Sequence, residues 1–306
     1  MKSLHEDSPK VSHPILGRPL VQYVLDALKP LGLDKTVAVV GHGGKTVEKI
    51  VSGQAEVVWQ KEQKGTGHAV MMAAPLLKGL EGETIVCCGD TPLLRTETLE
   101  KMFLDHEEHR RAMTVMTSIL ECPFGYGRIH KTDGRVDRII EQKDCTPEEA
   151  KINEVNAGVY IFNNKKLFEA LGKLTTDNAA GEYYLTDVLG ILVKEGENVG
   201  AYKVDDFGET LGVNDRFQLS IAAKMIRLRV NKGLMLSGVT IEDPDTAYIA
   251  PTVRIGQDTV IKPNTHILGN TVIGADCVVG PNTYLDDCEV GDGKVIFQET
   301  HKNEKI

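Results

Sequence analysis

Ile249, Ile255, Ile261, Ile267, Ile273, Val279 and Leu285 recur at every sixth position without a break. Neither an α-helix nor a half-buried strand has that period. Small, polar or turn-forming residues fill the intervals: Gly256, Asn264, Gly269, Gly274, Gly280 and Asn282. A period of six is the signature of a parallel β-helix, in which stacked coils bury the repeated aliphatic and stability comes from coil-on-coil contact. The spacing slips at Val290 and resumes at Ile296.

The preceding two hundred or so residues obey a different pattern. Helical periodicity over 19–31, 46–51 and 69–77 alternates with apolar runs at 36–40, 55–59 and 84–88. Strands alternating with helices imply βαβ units and a mainly parallel, Rossmann-like sheet. A helical pattern over 216–235 joins the two halves, and its basic cluster (Lys224, Arg227, Arg229, Lys232) reads as a solvated face. The expected division is therefore 1–215 for the α/β domain, 216–236 for a connecting helix and 237–306 for a partial β-helix.

The net charge of −9 over 306 residues excludes a protein that coats nucleic-acid phosphates, which needs a basic surface. It leaves room for a nucleotide as substrate. No apolar run is long enough to span a membrane. Six dispersed cysteines without Cys-x-x-Cys spacing read as reduced thiols of a cytoplasmic protein.

Thr84-Ile-Val-Cys-Cys ends in Gly89-Asp90. A carboxylate at the edge of a buried strand loses hydration, so it requires hydrogen bonds, a cation or a metal. In parallel α/β sheets that edge, beyond the strands' carboxyl ends, is where ligands bind. Gly41-His-Gly-Gly-Lys-Thr suggests a phosphate loop but carries Val39 where that pattern needs glycine, so it reads as a strand-to-helix turn. Gln60-Lys-Glu-Gln-Lys-Gly-Thr-Gly-His-Ala is more informative. Gly65 and Gly67 around Thr66 allow close backbone approach, and Gln60 and Gln63 could read a base edge. Gly125-Tyr-Gly-Arg-Ile, Glu141-Gln-Lys-Asp and Asn156-Ala-Gly each border a β-type run, and taken singly each reads most simply as a turn. Asn214, at the junction of the halves, is either the N-cap of the connecting helix or an oxygen ligand for a hard cation.

Together with Pro9-Lys10-Val11, Gly181-Glu-Tyr-Tyr-Leu-Thr-Asp, Gly212-Val-Asn-Asp-Arg and the hexapeptides, these segments resemble one family over nearly the whole chain. It is the bacterial bifunctional N-acetylglucosamine-1-phosphate uridylyltransferase/glucosamine-1-phosphate acetyltransferase. The resemblance implies a left-handed β-helix, a homotrimer where that helix is complete, and transfer of uridylyl from UTP to N-acetylglucosamine 1-phosphate, giving UDP-N-acetylglucosamine and pyrophosphate for cell-wall precursors. It assigns Mg²⁺ to Asp90 and Asn214, phosphate neutralisation to Lys10, and uracil recognition to Gln60, Gly65 and Thr66, with Cys88 and Gly89 lining the site. Gly127, Glu141 and Asn156 would hold the sugar.

Four departures bear on activity. The family's opening loop, L-A-A-G-x-G-T-R-M, has no counterpart in residues 1–306. The stretch from Leu4 to Pro9 is longer than the usual spacer, and Ala157 stands where the family usually has threonine. The later coils that carry the acetyltransferase residues have no counterpart either, so that activity is not expected. Weak or absent turnover by these residues alone follows as an expectation. The alternatives are a transferase for another sugar phosphate or a non-catalytic assembly or regulatory protein.

Overall fold

The computed structural model describes residues 9–306, which form two compact units. The lengthened spacer lies, up to Ser8, outside the described residues. One unit contains 9–12 and 20–212. The other contains His13–Pro19 and Val213–Ile306. In the latter, β1 (Pro14–Ile15) and β2 (Arg18–Pro19) form a short hairpin.

In the α/β unit, α1 (Leu20–Leu28) and α2 (Gly44–Val51) pack on a parallel pair, β3 (Val37–Val40) and β4 (Glu56–Trp59), through Val21, Leu25, Val40, Val47 and Val51. Next come α3 (Thr66–Met72), α4 (Ala74–Leu77), β5 (Glu83–Val86), α5 (Thr96–Glu108) and β6 (Met113–Ile119). They are followed by β7 (Arg128–Thr132), β8 (Arg135–Ile140), β9 (Glu154–Asn163), α6 (Asn164–Leu171), α7 (Asp187–Lys194) and β10 (Val199–Lys203).

The ten-residue β9 organises the larger sheet. β6 runs antiparallel along it, with Thr114 opposite Ile161 and Thr117 opposite Asn156, and β10 lies parallel to β6. β5 pairs with its carboxyl half, Val86 opposite Tyr160, and β7 meets its start, Arg128 opposite Val155. A strand has two edges and β6 takes one, so β5 and β7 share the other and, among the described residues, leave β9 uncovered between them. β5, β6, β7 and β10 therefore run in one direction and β8 and β9 in the other. Successive β9 side chains bury alternately: Tyr160 and Phe162 against α6 and α7, Val159 and Ile161 against α1 and α5. Both faces are covered, which is why the run is continuously apolar.

In the second unit, α8 (Arg216–Leu236) precedes three parallel ladders. Ile249 stacks on Ile267 and Leu285, Ile261 on Val279 and Ile296, Ile255 on Ile273 and Val290. Every hexad aliphatic except half-buried Ile255 is at most 2% exposed. The slip at Val290 is a corner shortened by one residue. Asp287 takes it up in a left-handed conformation (φ 53°), its carboxylate accepting from Asn270 N–H at 2.8 Å, and Val290 stays buried. Gly256 is required because a Cβ there would stand 2.5 Å from the backbone nitrogen of Ala275 in the next coil. Ile267→Ala, in the middle of a ladder, should cost about 2–5 kcal/mol. A denaturant titration of the β-helix transition measures this.

Two expectations need correction. Asp215, rather than Asn214, is the N-cap of α8: its Oδ1 accepts from Gln218 N–H at 2.7 Å, while Asn214 N–H donates to Gln218 Oε1 at 2.6 Å. Arg227 does not belong to a solvated basic face. It is buried, pairs with Asp245 at 3.1 Å and lies 4.9 Å from the ring centre of Tyr248. The coil it packs against claims its stem as apolar surface and its head as a charge partner.

Candidate active site

β5 ends at Val86, two residues before the expected boundary, and Cys87, Cys88 and the Gly89–Asp90 turn extend beyond the sheet. Asp90 carries its charge at 16% side-chain exposure, in an ion pair with Lys10. The cation that the strand-end carboxylate requires is thus supplied by the chain itself. Thr91 closes the turn by donating to the carbonyl of Cys88 at 2.8 Å. Cys88 is open to solvent yet crowded. Burial, then the Asp90 charge, pushes its thiol up to about 11, and burial pushes Cys87 up to about 12. Both remain thiols at neutral pH, so neither offers an activated sulfur nucleophile.

The uncovered stretch of β9 meets this strand end. The register jumps from Val115–Tyr160 to Thr117–Asn156, a bulge in which Gly158 takes φ 72°. A Cβ on Gly158 would lie 3.8 Å from Cys88 Sγ. Asn156 is fixed by three bonds: its Nδ2 donates to Tyr160 OH at 2.8 Å, its Oδ1 accepts from Gly158 N–H at 2.9 Å, and its N–H donates to the carbonyl of Gly127 at 2.8 Å. Gly127 lies directly before β7 and Glu141 directly after β8. The pairing of Arg128 with Ile140 and Val155 brings Gly127, Glu141 and Asn156 to the same end of the sheet. Four residues taken from separate motifs (Cys88, Gly127, Glu141, Asn156) therefore converge.

Glu141 Oε1 accepts from Thr186 Oγ1 at 3.0 Å and borders a cavity of about 720 Å³ with Asp144, Tyr184, Thr186 and Asp187. Burial, helped by Asp187 and Asp144 and opposed by the Thr186 hydrogen bond, raises its carboxyl above the ordinary 4.5. The fold thus favours the protonated form. That contribution is complete below the unfolded value and is lost as pH rises through the folded one. Glu141→Gln keeps the acceptor for Thr186 and removes the charge. It should match the parent's melting temperature below about pH 4.5 and exceed it at neutral pH. Thermal melts across that range check the crossover.

The glycines around Thr66 make their close approach to the chain itself. A Cβ at Gly65 would stand 2.5 Å from the Tyr183 carbonyl oxygen, and one at Gly67 2.6 Å from Leu174 Cδ1. Gly67 N–H donates to Tyr183 O at 2.8 Å, and Thr66 Oγ1 accepts from Leu185 N–H at 3.0 Å. Gln60 Nε2 donates to Gly65 O at 3.0 Å and lies 3.0 Å from His68 Nδ1. Gln63 Nε2 donates to Gln60 O at 3.4 Å. Residues 182–187 therefore link the glutamine–glycine loop to Glu141. Thr186, Tyr160 and His68 partner the expected site residues without a role legible in the sequence: His68 and Thr186 lie inside motif stretches, and Tyr160 lies four residues after Asn156. Asn214 belongs to the other unit, so its relation to Asp90 rests on resemblance alone.

A family model described as nucleotidyl transferase matches residues 3–216. The chain belongs to the nucleotidyl transferase family. The six-repeat bacterial transferase hexapeptide model matches residues 252–287 of this nucleotidyl transferase. A protein named Bifunctional protein GlmU from Lactobacillus delbrueckii subsp. bulgaricus is 50% identical over 292 residues, 95% of this chain and 63% of its own length. One of the same name from Listeria welshimeri is 46% identical over 288 residues, covering 94% and 61%. The chain thus spans under two thirds of these relatives. Among solved structures, a UDP-glucose pyrophosphorylase complexed with UDP-glucose shares the fold. Its TM-score is 0.55 at 21% identity, covering 71% of this chain and 89% of that one. The expected α/β nucleotidyltransferase domain followed by hexapeptide coils is borne out.

Proposed function

We propose that the α/β unit transfers the uridylyl group of UTP to N-acetylglucosamine 1-phosphate, forming UDP-N-acetylglucosamine and releasing pyrophosphate. The observation carrying this is the identity to proteins named Bifunctional protein GlmU along 95% of the chain, which includes the converged strand-end cluster. A sugar-phosphate oxygen attacks the α-phosphorus in line as pyrophosphate departs. With no activated thiol at the strand end, the protein's work is positioning and charge neutralisation.

Asp90, a hard carboxylate at the strand end, fits Mg²⁺, which takes one or two protein oxygens and completes its octahedron with phosphate and water. Asp90 would hold the ion, with Asn214 a second ligand on the resemblance alone, and the ion's chemistry is to neutralise phosphate charge. Lys10 exchanges its ion pair with Asp90 for a phosphate oxygen. Gln60, Gly65 and Thr66 orient the base. The Gly127 backbone, Glu141 and Asn156 orient the sugar and its acetamido group, with Cys88 and Gly89 forming the floor. No helix among the described residues is long and apolar enough to cross a membrane. A homotrimer joined through the coils is the assembly the hexapeptide repeats favour.

Because Asp215 caps α8, Asn214→Ala should leave the helix cap in place and reduce Mg²⁺-dependent turnover far more than stability. Asp215→Ala should cost about 1 kcal/mol of stability. Full turnover in Asn214→Ala would remove this residue from the metal site. The function is tested by pyrophosphate release from UTP and Mg²⁺ with N-acetylglucosamine 1-phosphate, glucose 1-phosphate or galactose 1-phosphate as acceptor. Preference for the acetamido sugar supports the reading, and equal use of all three would make the enzyme a transferase of broader sugar range.

A further inference from the structure

Arg128 is a buried charge that the proposed chemistry leaves unused. It opens β7 at 1% exposure, and its recorded partners are all uncharged oxygens. One Nη donates to the Tyr126 carbonyl, and the other to Gln142 Oε1 at 2.8 Å and Ala150 O at 3.4 Å. Nε has no partner. Burying a guanidinium costs several kcal/mol unless its donors are satisfied, so a β-strand of this type would be better served here by an apolar side chain. What arginine adds is a rigid fork whose arms reach two separate loops.

The first loop is the turn closed by Tyr126 N–H on Pro123 O at 3.2 Å, which leads into Gly127. The second begins at Glu141 and is closed by Asp144 N–H on Glu141 O at 2.9 Å. Gln142 joins them, because its Oε1 accepts from both Arg128 and the Gly125 N–H, the latter at 2.9 Å. Gly127 and Glu141 are thus the residues directly adjoining a three-way junction that is buried at Arg128 and open at Gly125.

We propose that Arg128 and Gln142 form a clamp that positions Gly127 and Glu141, and so controls affinity for the sugar half of the ligand without touching it. The clamp's functional meaning rests on the sugar-nucleotide reading above. Its structural meaning, the coupling of two loops, does not. Arg128 and Gln142 are positioning residues. The prediction is selective: a loosened clamp should affect a ligand that carries the sugar and spare one that does not.

The test compares the chain with its Gln142→Leu, Gln142→Glu and Arg128→Lys variants in calorimetric titrations with UDP-N-acetylglucosamine and with UTP, alongside amide hydrogen exchange. Gln142→Leu removes the shared acceptor. It should weaken the sugar nucleotide about tenfold and UTP by less than about twofold, the scale of one hydrogen bond. Exchange should rise together in 123–127 and 142–150, with β6 and α6 unchanged. Gln142→Glu retains an acceptor for both donors and should restore parental selectivity. Arg128→Lys, which has no fork, should behave as Gln142→Leu does. Equal weakening of both ligands, a rise in one loop only, or loss of protection across the whole unit would overturn the clamp. Failure to bind either nucleotide even when the parent is preceded by the family-type strand and loop would overturn the sugar-nucleotide reading. The paired exchange response would then decide the clamp by itself.

Discussion

In the chain preceded by the family-type strand and L-A-A-G-x-G-T-R-M loop, Asp90→Asn should lower Mg²⁺-dependent uridylyl transfer by at least about 100-fold while leaving the fold in place. That ratio corresponds to roughly 2.7 kcal/mol of transition-state stabilisation, which is modest for a ligand that fixes a divalent cation against the reacting phosphates. The structural cost is smaller. Asp90 is partly exposed and its partner Lys10 is 32% exposed, and such ion pairs contribute about 1 kcal/mol or less. The substitution keeps the shape of the Gly89–Asp90 turn, which Thr91 closes independently through the Cys88 carbonyl. Activity and melting temperature must therefore separate. Measuring both on the same preparation checks the assignment, and turnover within a few-fold of the parent would end Asp90's role as a ligand.

Gly65→Ala should be the most damaging of the loop substitutions. Its φ of 104° is open to glycine and strained for any other residue, at about 1–3 kcal/mol. The new methyl would also meet Tyr183 O at 2.5 Å, and a backbone atom cannot step aside as a flexible side chain would. Residues 182–187 must then withdraw from the loop, releasing the Thr66–Leu185 and Gly67–Tyr183 bonds at one end and disturbing Thr186 against Glu141 at the other. Nucleotide and sugar affinity should fall together. Gly181→Ala is the control: its φ is 66°, but a Cβ there meets nothing within 4 Å, so it carries the strain without the collision. Melting temperatures and UDP-N-acetylglucosamine titrations of the two variants separate these effects. A Gly65→Ala protein no worse than Gly181→Ala would show that the contact is dispensable.

The features legible in the sequence are those with a local cause. The six-residue period follows from one aliphatic on each of three faces per coil, so stacked coils are legible in the repeat, while the pairing of Ile267 with Leu285 follows from the three ladders. The alternation of apolar runs and helical stretches marks the α/β unit, because the runs at 36–40 and 55–59 hold the parallel pair that α1 and α2 pack on. Asp90 stood out because an ionised group at a buried edge needs a partner, although the partner found is Lys10, far off in sequence. The features that stayed hidden depend on contacts between distant segments. Thr66 meets Leu185 across 119 residues, so the glycines beside it read as room for a ligand when part of their purpose is room for residues 182–185. The bulge at Gly158 has no local marker beyond a glycine in a strand. The capping role of Asp215 was lost to Asn214 because both residue types cap helices well and only geometry separates neighbours.

The central claim is that this strand-end cluster serves transfer of a nucleotidyl group to a sugar phosphate. Its most direct test uses UTP labelled at the α-phosphate, supplied with Mg²⁺ and N-acetylglucosamine 1-phosphate to residues 1–306 and to the same chain preceded by a family-type strand and L-A-A-G-x-G-T-R-M loop. The account predicts label in UDP-N-acetylglucosamine from the protein that carries the loop, dependent on the acceptor and on Asp90. Absence of labelled sugar nucleotide from both proteins, or transfer that persists in Asp90→Asn, would contradict it.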